Sequence, residues 1–469
     1  MRRAAFLFGV AIRWFSISLL TITTAIAAEL SNSPSTAAAT PVDSLEARTY
    51  TIGGTVIGLK NPGTVRIQDK TDLENESVSN NGTFELPRAV RSGTAYDVTV
   101  VRAPTGQSCA VQNGSGTVAK ANITNVLVYC TYIQSVATLN GTYDGAGYNI
   151  NNDTDLLSIG VPFDGSGNEG DTATLVTNTG GTITTTTNSN SSAGPYTVVT
   201  TNAIPVLTTG GNNIGAIAGE DADEFFWIAD ASTADGGGLP ALAVGVSPLR
   251  NGTIALLADN WIAVGLDQGS DPEVFEGMLT FGADGSVSGT STSLDVNGVV
   301  STVPYSSPAG TLTVTSGGRF SSGGGTLGYV SANGEFLVET YTRSGASPGL
   351  TVAVKQGTGV TPATLNGVYT LGSLSFSTAA TGDGEVFTLF LDGAGNYSGT
   401  YIDNNSGTIT TGYTTSGTYS VTSTGVLTLT DASGNVHTGG VSADGNIIVA
   451  ANLTAGGAEQ PRMFVGFRQ

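Results

Sequence analysis

Few residues in this chain could do chemistry. The only histidine, His437, stands in the stretch GNVHTGG. A Ser-His-Asp relay would have to use that imidazole, and no Gly-x-Ser-x-Gly elbow accompanies it. Its surroundings predict an exposed position at a strand edge beside a turn rather than a catalytic base. Asp164, Ser166, Asn168 and Asp171 place oxygen-bearing side chains close together, much as a calcium loop does. The twelfth position of such a loop needs a bidentate Glu and is Leu175 here, so an ordinary Asp-Gly hairpin is expected, with weak calcium binding as the alternative. Glu220, Asp221, Asp223 and Glu224 crowd together ahead of FFWIAD. Their repulsion could raise one pKa enough for general-acid work; the other reading is a solvated turn. Trp227 and Trp261 could each floor a ligand site, or equally fill a core.

Composition narrows the classes of function. The 469 residues include 66 Gly, only 12% are charged, and the formal net charge is −20. Phosphate binding needs clustered positive charge, so a nucleic-acid partner is excluded. One histidine argues against a multi-His metal centre, and no cofactor motif is present. A hydrophobic share of 39% is enough for packed cores.

The first residues predict export. Arg2, Arg3 and Arg13, the apolar run WFSISLLTI and Ala25-Ile26-Ala27 give residues 1–27 the form of a signal peptide cut after Ala27. Residues 28–48, rich in Ala, Ser, Thr and Pro, read as a flexible linker. No later run of about 18 apolar residues follows, so the mature chain should have no transmembrane helix. In an oxidising compartment Cys109 and Cys130 are expected to pair, closing a loop that stabilises by about 3 kcal/mol.

Residues 49–132 alternate apolar and polar positions in strand-length runs broken by Gly, Asn and Pro, which predicts a small β-sandwich. The strings Gly53-Gly54-Thr55-Val56, Asn81-Gly82-Thr83-Phe84, Tyr96-Asp97-Val98-Thr99-Val100, Pro104-Thr105-Gly106-Gln107-Ser108-Cys109 and Asn122-Ile123-Thr124-Asn125-Val126, ending at Cys130, carry a resemblance. On them this stretch resembles an immunoglobulin-like or prealbumin-like module of large secreted and surface proteins of Gram-negative bacteria. The resemblance implies an exported setting and a spacer or presentation role, without an activity.

The rest of the chain repeats. Asn-Gly pairs at Asn140, Asn251 and Asn366 lie 111 and 115 residues apart. TFGADGSVSGT at 280–290 matches FLDGAGNYSGT at 390–400, GTLTVT at 310–315 matches GVLTLT at 425–430, and Val330–Gly334 matches Val441–Gly445. PFDGSGN at 162–168 and Tyr196 extend the pattern to a more divergent first copy. Three units follow, 137–248, 249–362 and 363–469. Each is a run of short strands joined by Asp-Gly, Asn-Gly and Gly-Gly turns. An eight-strand meander of this kind closes into a small barrel, loosely similar to lipocalins or avidins, with open sandwiches as the alternative.

The expected protein is therefore all-β: a β-sandwich followed by three tandem barrel-like repeats, exported to the cell surface, the medium or the periplasm. Its expected work is non-enzymatic binding or structure, with an unidentified surface or small-molecule ligand. Two alternatives are a small-ligand carrier using a barrel cavity and a hydrolase using the acids at 220–224.

Overall fold

Strand-length runs of Val, Thr and Tyr, broken by turn glycines, leave little for the chain to do but pair in hairpins. A computed structural model describes residues 48–469, apart from 151–153, 190–193, 210–212, 219–224, 231–240, 250–251, 270, 309, 323–325, 342–344, 346, 379–380, 406–407 and 455–459. The signal peptide expected at 1–27 and all of the linker expected at 28–48 except Arg48 lie outside the described residues. The described chain is all-β, with helical turns as short as Val136–Thr138 and Pro362–Leu365. None of its helices is long and apolar enough to cross a membrane.

The first module is a sandwich of two four-stranded sheets. One orders Gly82–Glu85, Ile52–Ile57, Ile123–Tyr132 and Gln107–Gln112; the other orders Asn75–Val78, Val65–Asp69, Ala95–Arg102 and Ser115–Thr117. Ile52, Val56, Val65, Ile67, Val98, Val126 and Val128 fill the space between them. Gly54 is needed where Ile52–Ile57 runs parallel to Ile123–Tyr132, because a Cβ there would lie 1.7 Å from the Val126 carbonyl oxygen. Cys109 and Cys130 face each other on neighbouring antiparallel strands, with Cα atoms 4.1 Å apart, and form the expected disulfide. The bond staples two strands within one sheet.

Three barrel-like units follow. In barrel 3 eight strands, from Gly367–Thr378 to Arg462–Arg468, form a closed barrel. Barrel 1 completes a similar circuit from Asn140–Asn149 to Ala241–Val246, closing through the two-residue strand Asn168–Glu169, while the hairpin Thr172–Thr179/Thr182–Ser189 extends from it. Barrel 2 is a nine-stranded sheet that stays open between Val300–Ser307 and Thr313–Val314. One backbone contact recurs in all three: the amides of Tyr196, Leu312 and Tyr419 donate to the carbonyls of Gly167, Gly285 and Gly395 at 2.8, 2.9 and 2.8 Å.

Two of the sequence landmarks sit on equivalent hairpins and two do not. Ser331 and Ser442 open the same turn: each hydroxyl donates to the side chain two residues on (Asn333, Asp444) and accepts the amide five residues on (Phe336, Ile447). Gly334 and Gly445 hold φ values of 74° and 75° there. The hairpins at 280–290 and 390–400 correspond as well, Phe281 facing Val287 as Leu391 faces Tyr397. Gly252, however, precedes the helical turn Ile254–Leu257, whereas Gly367 begins a strand. The strand position of Tyr369 is taken in barrel 2 by Trp261, each facing a Leu on the next strand. GTLTVT and GVLTLT are also out of register, since Gly318 rather than Gly310 takes the place of Gly425, accepting the Val330 amide as Gly425 accepts that of Val441.

The barrels pack outside to outside. The first strands of barrel 1 meet the last strands of barrel 2, those of barrel 2 meet the last of barrel 3, and those of barrel 3 meet the last of barrel 1. One apolar cluster joins them, with Tyr148, Leu242 and Val244 from barrel 1, Ile262, Phe336 and Val352 from barrel 2, and Phe376, Val449 and Phe467 from barrel 3. Phe336 and Phe467 meet edge to face at 6.0 Å, as do Tyr148 and Phe376. The sandwich is seated on barrels 1 and 3 rather than standing off as a spacer: Tyr129 packs on Phe390 at 4.9 Å and donates its hydroxyl to the Asn202 carbonyl at 2.8 Å.

Because Phe467 serves this shared cluster and not a barrel lumen, Phe467→Ala should cost about 3–5 kcal/mol of stability. In urea titrations, tryptophan fluorescence from barrels 1 and 2 should shift together with far-UV circular dichroism in one transition.

Candidate ligand cavity in barrel 2

Barrels 2 and 3 share strand registers, so their inward-facing positions can be compared one by one. Ala263 and Leu371 head the comparison, facing Gly277 and Phe387 on the next strand. Gly277 and Phe387 in turn face Ser291 and Tyr401. Thr351 and Phe464 sit opposite Gly265 and Ser373. Ser322 and Thr326 flank their hairpin as Leu429 and His437 flank theirs.

In barrel 3 these positions carry large side chains that fill the lumen. Phe387 stacks on Tyr401 at 5.0 Å, Phe464 lies 5.7 Å from Phe387, and His437 meets Phe464 edge-on at 5.1 Å. Only about 100 Å³ of space is left among them. In barrel 2 the same places hold Gly277, Ser291, Thr351, Thr326 and Ser322, and a cavity of about 360 Å³ opens there. That lies within the range of small-ligand sites, roughly 300–1,000 Å³.

The cavity has an apolar wall and a polar end. Phe275, Leu279, Phe281, Phe320 and Leu337 contribute to the wall; Asp267, Glu273, Glu339, Tyr341 and Thr351 contribute to the polar end. Strand pairing brings the polar groups together, with Asp267 opposite Glu273 and Glu339 opposite Thr351. Glu339 is partly buried and lines the cavity. Burial pushes its carboxyl up to about 7, partly offset by the Thr326 hydroxyl. Burial first, then the charge of Glu339, pushes the Tyr341 phenol far above its ordinary value. Thr351 is 3% exposed and its hydroxyl makes no hydrogen bond; the neighbouring Tyr341 lacks the geometry for one.

The cavity mouth is the open seam. Barrel 3 closes here because Gly417–Val421 pairs with Leu427–Asp431. In barrel 2 the chain leaves its ladder at Ser307, detours through Pro308 and Gly310, and returns at Thr313, so no ladder joins the two sides among the described residues. Prolines at 304 and 308 remove amide donors from this edge. Val303 and Tyr305 line the cavity from the edge strand and remain 59% and 43% exposed.

The residues singled out from sequence fall elsewhere or at the margin. Trp261 is fully buried, donates to the Leu257 carbonyl at 2.9 Å and stacks on the cavity residue Phe281 at 5.6 Å, without lining the cavity itself. Trp227 lies on the strand Phe225–Asp230 of barrel 1, and its side chain is outside the described residues. The acids at 220–224 are also outside them. Asp164 accepts from the amides of Ser166 and Asn168 at 2.7 and 3.0 Å and from the Asn168 side chain at 2.6 Å, which hold its carboxyl below the usual range. Asp392 and Asp431 make the same three contacts in their own hairpins, and Asp171 lies beyond the turn. Among the described residues no group of three or more His, Cys, Asp and Glu is placed to hold a metal.

His437 is not exposed, as its turn-like surroundings suggested. It is buried in the lumen of barrel 3, where burial and then the charge of Arg462 push its pKa down to about 4. An imidazole so far from its working range is a poor general base near neutral pH. Glu273, Glu339 and Tyr341 carried no sequence signal of their own. The signal was comparative: small residues in the second repeat stand where aromatics stand in the third.

No protein-family model matches the chain, and no curated protein matches it.

Gly277 has room for a side chain, the nearest atom to an added Cβ being 3.6 Å away. Gly277→Phe, which copies barrel 3, should therefore fold with a thermal midpoint at or above that of the parent. A second expectation concerns pH. Folding keeps on Glu339 a proton that the unfolded chain releases near pH 4.5, so this residue lowers stability as pH rises from about 4.5 to about 7. Glu169, its carboxyl also pushed to about 7 by burial, acts with the same sign. Glu339→Gln should flatten part of that slope in unfolding titrations between pH 5 and 8.

Proposed function

We propose that this is an exported, non-enzymatic binding protein that carries a small, largely apolar ligand in barrel 2. The observation that supports the reading is the cavity of about 360 Å³ with an apolar wall, a polar end and a lateral mouth. The contrast with barrel 3 gives it weight, because the same fold is packed full when its lumen carries aromatics. Apolar burial would supply the affinity, and the few groups at the polar end would orient the ligand. The seam gives a path that needs no ladder to break.

Export rests on the leader at 1–27 together with the Cys109–Cys130 disulfide, a bond that persists in oxidising compartments. The Gram-negative surface or secreted setting rests on the resemblance of residues 49–132, and the periplasm fits the same features. The sandwich would then act as a rigid platform on barrels 1 and 3 for attachment or presentation.

Titration of the mature protein with the neutral apolar dye N-phenyl-1-naphthylamine tests the reading. Saturable fluorescence enhancement at one site per chain, lost in Gly277→Phe, is the expected result. Enhancement that never saturates, or that survives unchanged in the filled variant, would remove the cavity from the account.

A further inference from the structure

Resting on that reading, we infer that barrel 2 selects ligands that carry a cationic head, an amine above all, on an apolar body. Glu273 and Glu339 would receive the head at the polar end while the body lies along Phe275, Leu279 and Phe281 toward the seam.

Barrel 3 shows what the fold does when carboxylates at this end are meant to be silent. Its Asp383 and Glu385 face inward and are answered from within the chain by Arg462, which contacts Glu385, lies 3.9 Å from Asp383 and donates to the Ser373 hydroxyl at 3.1 Å. In barrel 2 the position of Asp383 is kept acidic as Glu273, each opposite the end of the first strand. The position of Arg462, opposite Ser375, corresponds to Gly349, opposite Asp267. A further acid, Glu339, stands where barrel 3 has Ala450. Among the described residues no lysine or arginine lines the cavity.

One acid position is thus kept as Glu273, the Glu385 position has become Phe275, and acids are added at Asp267 and Glu339, while the base that answered the acids of barrel 3 is gone. An amine supplies what the register has lost: a positive charge and several N–H donors. The Thr351 hydroxyl, buried and without a hydrogen bond, gives a neutral acceptor at the same end. Two features on the route favour the same sign. The chain as a whole carries −20, which attracts cations and repels anions. At the mouth, Val303 and Tyr305 offer apolar and aromatic surface compatible with a passing ammonium group.

The test uses three probes with one tail: n-decylamine, n-decanol and decanoate, each displacing N-phenyl-1-naphthylamine from the mature protein at pH 8. The amine is expected to bind at least about tenfold more tightly than the alcohol, and decanoate more weakly than either. Glu339→Gln and Glu273→Gln should each reduce the amine's advantage. An amine no better than the alcohol in the parent protein overturns the inference while leaving the carrier reading in place. So does an advantage that survives both substitutions. If none of the three displaces the dye, the carrier reading itself falls.

Discussion

The first and last strands of each barrel are buried on both faces, and the rest of the structure depends on that. In an isolated small barrel only the lumen holds apolar side chains and the exterior meets water. Here the exteriors of Ile262, Val264 and Leu266 in barrel 2, or of Val449, Ala451, Val465 and Phe467 in barrel 3, are as buried as any lumen residue. Each barrel meets the next with its leading strands against the other's trailing strands, and the order runs round all three. This is the logic of a head-to-tail closed ring, carried out within a single chain. Close packing at the shared cluster makes the barrels one body, because no barrel can expose its outer face without exposing its neighbours'.

That arrangement releases the lumen from its usual duty. Barrel 3 keeps a filled interior of Phe387, Tyr401, Phe464, Leu429 and His437. Barrel 2 has exchanged those for Gly, Ser and Thr and has let one seam open, yet Ile262, Val264, Phe336 and Val352 still anchor it from outside. A hollow barrel of this size standing alone would lose most of its core. Burial from the other side of the same strands offsets the loss, so the space inside need not be filled by side chains. The polar end follows the same economy. Strand alternation turns Val274, Phe336 and Val338 to the shared cluster and so turns Glu273, Glu339 and Tyr341 to the lumen.

Much of the fold was legible in the sequence, and the site was not. Alternation and turn dipeptides placed the strands, the Asp164 and Asp392 hairpins revealed the repeat, and the two cysteines paired as expected. Alternation fails where both faces are covered. A run such as IIVAAN at Ile447–Asn452 is buried throughout and does not say which residues face inward. His437 was misplaced for that reason: a polar residue beside a turn looks exposed unless the strand is known to close a lumen. The Asn-Gly landmark failed because Gly252 stands before the helical turn Ile254–Leu257 in barrel 2, whereas Gly367 follows the equivalent turn Pro362–Leu365 in barrel 3. Register was the missing quantity. Once Gly277 is set against Phe387, the cavity is readable as a set of substitutions.

Native-state hydrogen exchange on the unliganded protein tests most directly the claim that barrel 2 is held from outside and open inside. Amides of Asp259–Asp267 and Gly349–Lys355 should be as slow as those of Ile447–Asn452 and Arg462–Arg468 in the filled barrel. Amides of the seam strand Val300–Ser307 should exchange orders of magnitude sooner. If instead the strands of barrel 2 exchange together and well before those of barrel 3, the hollow barrel is a separate, weaker unit, and the shared outer core does not hold it.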